Sequence, residues 1–502
     1  MATSITGTSL STTMAARTIS QMRDQLSVLQ RQLGTGKASD TYGGLGLGSG
    51  LVLNLRAQLS NTSVFQSNSI NVETRVKLMN MSLERIRNIR EETRADLTSP
   101  FDYALVQDGQ TAAQRSALGR LGEMLSLLNG DAGGRYLFSG RASDKPATDT
   151  MSRILNGEGA QAGLKQIISE RLQADQGSDQ RGRIAVNAAV GDVVSIEEDG
   201  AHPFGFKLTG ATTSFGATIT GPGAAPRSID IDLGSNPAAG ATVRITMDLP
   251  DGTSTAIELT ATSTAPAGQK QFLIGATADD TATNITAAIG TELERLGRTE
   301  LAAASAMQAG NDFFATDASN PPQRIAGSPP FYAATAMTNG TTSNTISWYL
   351  GDNATDNARA TSVARVDDAI TVNYGARANE EGIRWIVQNE AVFAAVSFSS
   401  ADANARDRYY ALAARVGSAM DVPAGMQRVE AIQTEIAGAN VSGQAAKKRL
   451  AERLPVLQDM IDEVENVSNE EISVKLLALN TRMQASLQVT SMLSQLSLVN
   501  FI

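Results

Sequence analysis

The chain has 502 residues, a formal net charge of −10 and no cysteine. This length suffices for two or more hydrophobic cores, and the missing thiols exclude disulfides, thiolate metal sites and cysteine nucleophiles. Lysine and arginine are spread along the chain and form no long basic run, which argues against nucleic acid and anionic membranes as partners.

The first twenty residues are polar, with Arg17 as their only charge, and they do not have the pattern of a secretory signal peptide. Apolar residues nowhere run long enough to cross a membrane. We therefore expect no membrane span. If the protein leaves the cell, we expect a route that does not read such a signal.

An amphipathic helix is predicted near the N-terminus. Residues 1–14 are rich in serine and threonine, and we expect them to be disordered in the isolated chain. Apolar residues then recur in steps of three and four, at Ala15, Ile19, Met22, Leu26, Leu29 and Leu33. The seam covers about three heptads, which is short for an independent coiled coil. The glycine-rich stretch at 43–50 has neither a dinucleotide-binding nor a P-loop spacing, so it reads as a loop.

Two further helices are predicted before residue 130. The first spans 51–97 and ends ahead of Ser99-Pro100, because a residue before proline disfavours helix. The second spans about 111–128 and closes at Asn129-Gly130, a usual C-terminal stop. The aromatic segment 134–140 then reads as a strand or a turn.

The composition changes in the middle of the chain. Residues 147–370 are rich in threonine, alanine and glycine, and apolar and polar residues alternate strictly at 228–233. Alternation at 243–247 and again at 257–259, around Pro250-Asp251-Gly252, predicts a β-hairpin. Short helices are predicted near 164–172 and 282–296, within one β-rich domain or two.

The helical pattern returns after Gly375. Helices are predicted over 383–396, from about Ala405, and over 426–439. An apolar seam follows at 450–464 and reads as intramolecular core. Pro455 lies off this seam, so it should kink that helix or mark its first turn.

The last predicted helix has an unusual polar face. Its seam falls at Ile472, Leu476, Leu479, Met483, Leu487, Thr490, Leu493 and Leu496. From Gln484 onward no side chain carries a formal charge. Since an exposed helix face usually carries charge, this helix is expected to be surrounded by protein, either its own core or other copies.

The sequence contains no catalytic constellation. The single histidine, His202, precedes a proline and reads as a turn residue; a Ser-His-Asp triad would have to use it, and no G-x-S-x-G elbow supports one. The acidic pairs at 197–198, 279–280 and 367–368 lack EF-hand spacing and read as solvated loops. We predict no catalytic, cofactor-binding or metal-binding residue, no cofactor and no enzymatic activity.

These elements predict an α+β fold. A seam cannot bury itself on a single helix. The simplest arrangement is a long antiparallel helical bundle or coiled coil formed by the paired N- and C-terminal regions, with an inserted β-rich domain. The predicted segments are an N-terminal helical arm (1–146), a central β-rich outer domain (147–370) and a C-terminal helical arm (371–502), the two arms serving assembly.

Particular segments at both ends resemble a known family. Residues 30–37 (QRQLGTGK) resemble the Q-L-x-S/T-G-K segment of bacterial flagellins. Residues 134–140 (GRYLFSG), 374–380 (YGARANE) and 487–501 (LQVTSMLSQLSLVNF) resemble motifs of the proteins that join the flagellar hook to the filament. The chain is therefore most similar to the hook–filament junction branch (hook-associated protein 3) of the flagellin family, whereas the middle, 147–370, matches no pattern.

The resemblance implies a structural protein of the bacterial flagellum, outside the cell, exported by the flagellar type III apparatus. It implies a homo-oligomer whose partners are hook-associated protein 1 and flagellin, with an export chaperone. The implied assembly residues are Ile19, Met22, Leu26, Leu29, Leu33, Leu476, Leu479, Met483, Leu487, Leu493, Leu496, Val499 and Phe501. The implied motif residues are Tyr136, Leu137, Phe138, Gly140, Asn379 and Glu380.

Two alternatives remain open at this point. The chain could be a flagellin, the filament subunit itself, with a large outer domain. It could also be a secreted carbohydrate-binding or enzymatic protein that acts through its central domain. That last reading requires a cleft with convergent polar groups within residues 147–370.

Overall fold

The protein is described by a computed structural model, which covers residues 5–98, 103–317 and 319–499; side chains at 5–12, 107 and 493–499 are not described. The helices are, in chain order, α1 (Ile5–Thr35), α2 (Gly48–Thr98), α3 (Ala112–Leu128), α4 (Met151–Asn156), α5 (Leu164–Gln176), α6 (Ala278–Arg298), α7 (Glu300–Phe314), α8 (Glu381–Ala395), α9 (Ala405–Ala419), α10 (Val429–Glu465) and α11 (Asn469–Val499).

The strands lie mainly between α5 and α6. They are β1 (Leu105–Gln107), β2 (Gln110–Thr111), β3 (Ile184–Val186), β4 (Val193–Glu198), β5 (Lys207–Thr213), β6 (Thr218–Thr220), β7 (Ser228–Asp232), β8 (Thr242–Asp248), β9 (Ser254–Thr262), β10 (Gln271–Leu273), β11 (Gln323–Ile325), β12 (Met337–Asn339), β13 (Val363–Arg365) and β14 (Thr371–Asn373). The combination of helices with largely antiparallel sheets confirms the α+β class.

The chain divides into two compact units. The first comprises Met1–Val72, Ala364–Val372 and Val441–Ile502, and the second comprises Glu73–Val363 and Asn373–Asn440. The three-part division drawn from composition stays a prediction.

A large hydrophobic core of the second unit lies on two four-stranded sheets. Their strand orders are β3-β4-β7-β6 and β10-β9-β8-β5. The predicted hairpin is confirmed, since β8 pairs antiparallel with β9 and Ile245 lies opposite Ile257. Alternate residues of each strand point inward, and α6 covers them with Ile285, Ile289 and Leu293, all buried.

Local signals position several helices of the second unit. Thr111 caps α3 in a capping box with Gln114, and Thr277 caps α6 in the same way with Asp280. Helix α3 therefore begins and ends where the sequence predicted.

Helix α7 was not predicted. Its residues are buried on nearly every side, including Leu301, Ala304, Phe313 and Phe314. A helix that is apolar all round has no amphipathic period, which is the signal on which the sequence prediction relied.

Two of the predicted helix limits are wrong. Helix α10 runs without interruption through Pro455, so Pro455 does not mark a first turn, and the helices predicted at 426–439 and 450–464 are one. The exposed side of a long helix tolerates the lost hydrogen bond when tertiary contacts hold the flanking turns, and Pro455 is exposed. Helix α1 begins at Ile5, inside the segment expected to be disordered.

In the first unit, α2 contacts α10. Leu55 and Leu59 pack on Leu457 and Ile461, and Arg56 forms a bidentate ion pair with Glu465, with N–O distances of 2.8 and 2.7 Å. Hydrogen bonds hold the pKa of the Glu465 carboxyl below its usual range. These contacts fix the end of α10, from which the chain enters α11.

Candidate assembly interface

Helices α1 and α11 lie against each other in the first unit. The chain between Gly36 and Ala38 pairs with the turn between α10 and α11. The Val467 amide donates to the Gly36 carbonyl at 3.0 Å, and the Ala38 amide donates to the Glu465 carbonyl at 2.6 Å. The end of α1 thus lies beside the start of α11, and the two helices run antiparallel.

The seam of α1 is its half-buried face. Ile19, Met22, Leu26 and Leu29 are all partly covered, whereas the residues between them are exposed. Leu33, the last predicted member, is 40% exposed. The heptad spacing therefore locates the inner face of α1 and overextends it by one position.

The seam of α11 follows the same pattern. Ile472 and Leu479 are buried, Leu476 and Met483 are half-buried, and Leu487 is 47% exposed. Thr490 is half-buried as well. The other predicted members cannot be compared, because the side chains of Leu493, Leu496 and Val499 in α11 are not described and Phe501 lies beyond the described residues.

The outer surface of the helix pair is also apolar. On α11, Val474 is 67% exposed, Leu477 is 71% exposed and Met492 is 61% exposed. A groove of about 540 Å³ runs between the helices, and Val28 and Leu479 help to line it. These outer residues lie off the predicted seam, so the spacing of the seam does not indicate them. The pair thus buries one narrow stripe and leaves a second apolar face in solvent.

The two internal motif segments lie side by side in the second unit. The Gly140 amide donates to the Ala376 carbonyl at 3.1 Å, and the Ala378 amide donates to the Phe138 carbonyl at 2.8 Å. Phe138 is fully buried, whereas Tyr136 and Leu137 are half-buried. Segments 134–140 and 374–380 therefore form one structural site, although they are far apart in the sequence.

An arginine–aspartate network surrounds this junction. Arg377, which is buried, donates to Asp352 at 3.1 Å and also to Asp356. Arg141 donates to Asp352 at 2.9 Å and contacts Asp356 as well. Hydrogen bonds from Arg141 and Arg377 hold the pKa of the Asp356 carboxyl well below its usual range. The network ties the segment around 352–356 to both motif segments.

Glu380 and Asn379 close the junction at the start of α8. Glu380 accepts from the Arg377 amide at 3.0 Å and pairs with the side chain of Arg359. The Asn379 side chain donates to Asn353 at 3.0 Å. Both residues bond within the chain, which gives them a positioning role in the second unit.

His202 is held in a buried turn. Its Nε2 lies 2.6 Å from Asp199 Oδ1, and its Nδ1 accepts from the Phe204 amide at 3.2 Å. Arg183 also bonds to Asp199, at 2.5 Å. Burial lowers the pKa of His202. The Nε2 atom also lies 3.0 Å from Arg183 Nη2, so both ring nitrogens of His202 are engaged within the chain.

The acidic pairs have partners within the chain. Asp280 completes the capping box of α6 with Thr277, Glu198 accepts from the Leu208 amide at 3.0 Å, and Asp367 lies 3.3 Å from Arg449. In the described part of the chain, no group of three or more potential ligands is placed to hold a metal ion.

The comparisons with known proteins leave the family assignment as a hypothesis. No protein-family model matches the chain, and no curated protein matches it either. Among the helices of residues 5–98, 103–317 and 319–499, none combines the length and the apolar character needed to cross a membrane.

Proposed function

We propose that the chain is a structural subunit of the bacterial flagellum that forms the junction between hook and filament. Helices α1 and α11 associate with those of neighbouring copies as a helical bundle or coiled coil. The partners are further copies, hook-associated protein 1 and flagellin, and an export chaperone accompanies the chain before assembly.

The outer apolar face of the α1–α11 pair carries this proposal. Each helix has 31 residues, yet only Ile472 and Leu479 of their described apolar side chains are buried. Helix pairs in water derive most of their stability from packing of an apolar face. Burial of an exposed leucine such as Leu477 adds about 1.5–3 kcal/mol. The partner that this outer apolar face fits best is the same face of a neighbouring copy.

The junction of the two motif segments supports the choice of family. Segments 134–140 and 374–380 were selected from sequence resemblance alone, and they contact each other through their main chains. Matches arising by chance would have no reason to meet in space. Their contact therefore favours a shared fold with the junction proteins, in which both motifs serve one site.

A flagellin would use the same terminal helices for assembly. It would form the filament itself, whereas a junction protein connects the hook to the filament. The secreted carbohydrate-binding or enzymatic alternative depends on the central segment, where a groove of about 520 Å³ is lined in part by Glu292 and Arg295. These two residues pair with each other at 2.5 Å, so the groove offers no unpaired carboxylate from Glu292. We therefore place the junction role first.

Electron microscopy of cells that lack this protein tests the proposal. We expect hooks without attached filaments, because the ring that connects them is missing. Filaments that are shortened or altered in shape would instead identify a flagellin. Cells with normal flagella would exclude both flagellar roles.

A further inference from the structure

A small polar pocket lies beside the junction of the two motif segments, in the second unit. Its volume is about 210 Å³. Tyr136, Leu137 and Gly140 of the first motif segment contribute to its wall, and Tyr374 of the second does too. The pocket is therefore built from residues that the assembly role of the terminal helices does not use.

Two arginines in this pocket have no acidic partner among the described residues. Arg75 is half-buried, and its guanidinium makes only long contacts, 3.3 Å to the Tyr374 hydroxyl and 3.5 Å to the Ala132 carbonyl. Arg135 donates through Nε to Ser143 Oγ at 3.1 Å, and its two terminal nitrogens form no hydrogen bond or ion pair among the described residues. Arginine stays charged at any physiological pH.

The third arginine of the pocket differs from these two. Arg141 pairs with Asp352 and Asp356, so its charge is compensated. No aspartate or glutamate of the described residues lines the pocket. The site thus holds two uncompensated positive charges, on a protein whose net charge is −10.

Hydroxyl groups complete the lining. Tyr374 and Ser143 each accept a hydrogen bond from one of the two arginines, which leaves their own protons to be donated. Thr361 and Ser362 also line the pocket. Guanidinium forks and hydroxyl donors are the groups that recognise oxyanions, because they match the geometry of phosphate and carboxylate oxygens.

We propose that this pocket binds a single oxyanion, held between the guanidinium groups of Arg75 and Arg135 and the hydroxyls of Tyr374 and Ser143. The anion supplies charged acceptors to both guanidinium groups. Its source is either a free anion of the phosphate type or a carboxylate side chain of a second copy. This binding role is independent of the flagellar proposal.

Titration calorimetry on the purified full-length chain tests the proposal, with inorganic phosphate and with acetate as separate probes. Ionic strength is held constant with chloride. We expect saturable binding of at least one probe at millimolar concentration. Arg135→Gln should weaken it by about tenfold or more, because a charge-assisted pair is lost, and Arg75→Gln should do the same.

Matched variants separate binding from folding. Arg135 is exposed, so its substitution leaves the hydrophobic core untouched, and Tyr374→Phe removes only a hydroxyl. Arg244→Gln, on the exposed side of β8, should bind as the unmodified chain does. No saturable binding of either probe, or equal affinity in the unmodified chain, Arg75→Gln and Arg135→Gln, would overturn the proposal.

The two probes also identify the source of the anion. Tighter binding of phosphate than of acetate indicates a free phosphate-type ligand. Acetate binding as tight as phosphate, together with self-association that phosphate and Arg135→Gln both weaken, indicates a carboxylate of a second copy. Sedimentation velocity measures that self-association.

Discussion

Gly140 occupies the contact point between the two motif segments. Its φ of +61° lies in the left-handed region, which side chains other than glycine adopt at a cost of about 1–2 kcal/mol. A Cβ at this position would lie 3.0 Å from Asp352 Cβ and 3.3 Å from Arg377 Cγ. Backbone conformation and available space therefore both require glycine.

Gly140→Ala should lower the free energy of unfolding by about 2–4 kcal/mol, through left-handed strain and displacement of the Asp352 and Arg377 side chains. Gly134→Ala is the matched control, since its φ is +73° and no atom lies within 4 Å of the added Cβ. Urea unfolding of both variants measures the difference. If Gly140→Ala and Gly134→Ala lose the same unfolding free energy, the close contact at Gly140 contributes nothing to the loss.

The pH dependence of stability should report the Asp356 network. Because Arg141 and Arg377 depress the folded-state pKa of this carboxyl below its ordinary value of 3.8, the unfolded chain binds the proton first as pH falls. Stability from this group is complete above the ordinary pKa and is lost as pH falls below it. We expect Asp356→Asn to flatten the fall in unfolding free energy on acidification. If the unfolding free energies of Asp356→Asn and of the unmodified chain fall in parallel as pH falls, the account is wrong.

The spacing of apolar residues in the sequence predicted which individual side chains of α1 are partly covered. The half-burial of Ile19, Met22, Leu26 and Leu29 follows from heptad steps alone. The contact of Gly140 with Ala376, and the position of Arg75 and Arg135 in one pocket, join distant parts of the chain. Such pairs leave no periodic signal in a single sequence.

Among the helices, α11 differs from an ordinary surface helix because both of its sides are apolar. Leu479 faces inward and is 7% exposed, whereas Leu477 is 71% exposed. The two leucines allow the inner and outer faces to be tested separately. Each face makes a different contribution in the proposed assembly.

Leu477→Ala should leave hydrogen exchange of the isolated chain unchanged but raise the concentration needed for assembly by about tenfold or more, since an apolar contact between copies is lost. Leu479→Ala should speed amide exchange in α11 of the isolated chain, because it removes a side chain from the inner seam. Exchange by mass spectrometry and light scattering make the two measurements. Assembly of Leu477→Ala at the same concentration as the unmodified chain would place the outer face outside the interface.

Helices with a clear apolar stripe were predicted well, and uniformly buried or interrupted ones were not. The limits of α2 and α3 agree with the sequence reading within a few residues. Helix α7 was not predicted because burial on all sides removes the period. Helix α10 was predicted as two segments with a break at 440–449, whereas it is continuous. Tertiary packing determines both the existence of α7 and the continuity of α10, and a local sequence pattern does not show that packing.

At the scale of the whole molecule, the terminal helices should be the least protected part of the isolated chain. Their shared seam buries few side chains, so opening costs little free energy. We expect fast amide exchange over residues 5–35 and 469–499 before assembly and slow exchange afterwards. Strong protection of both helices in the monomer would mean that their seam is sufficient without neighbours.

The central claim is that the terminal helices are the assembly surface of a flagellar junction subunit. Its most direct test is electron microscopy of cells in which the full-length chain is replaced by one lacking residues 486–502. We predict that the shortened protein remains folded and soluble, and that the cells carry hooks without filaments. Filaments attached normally in these cells would contradict the claim.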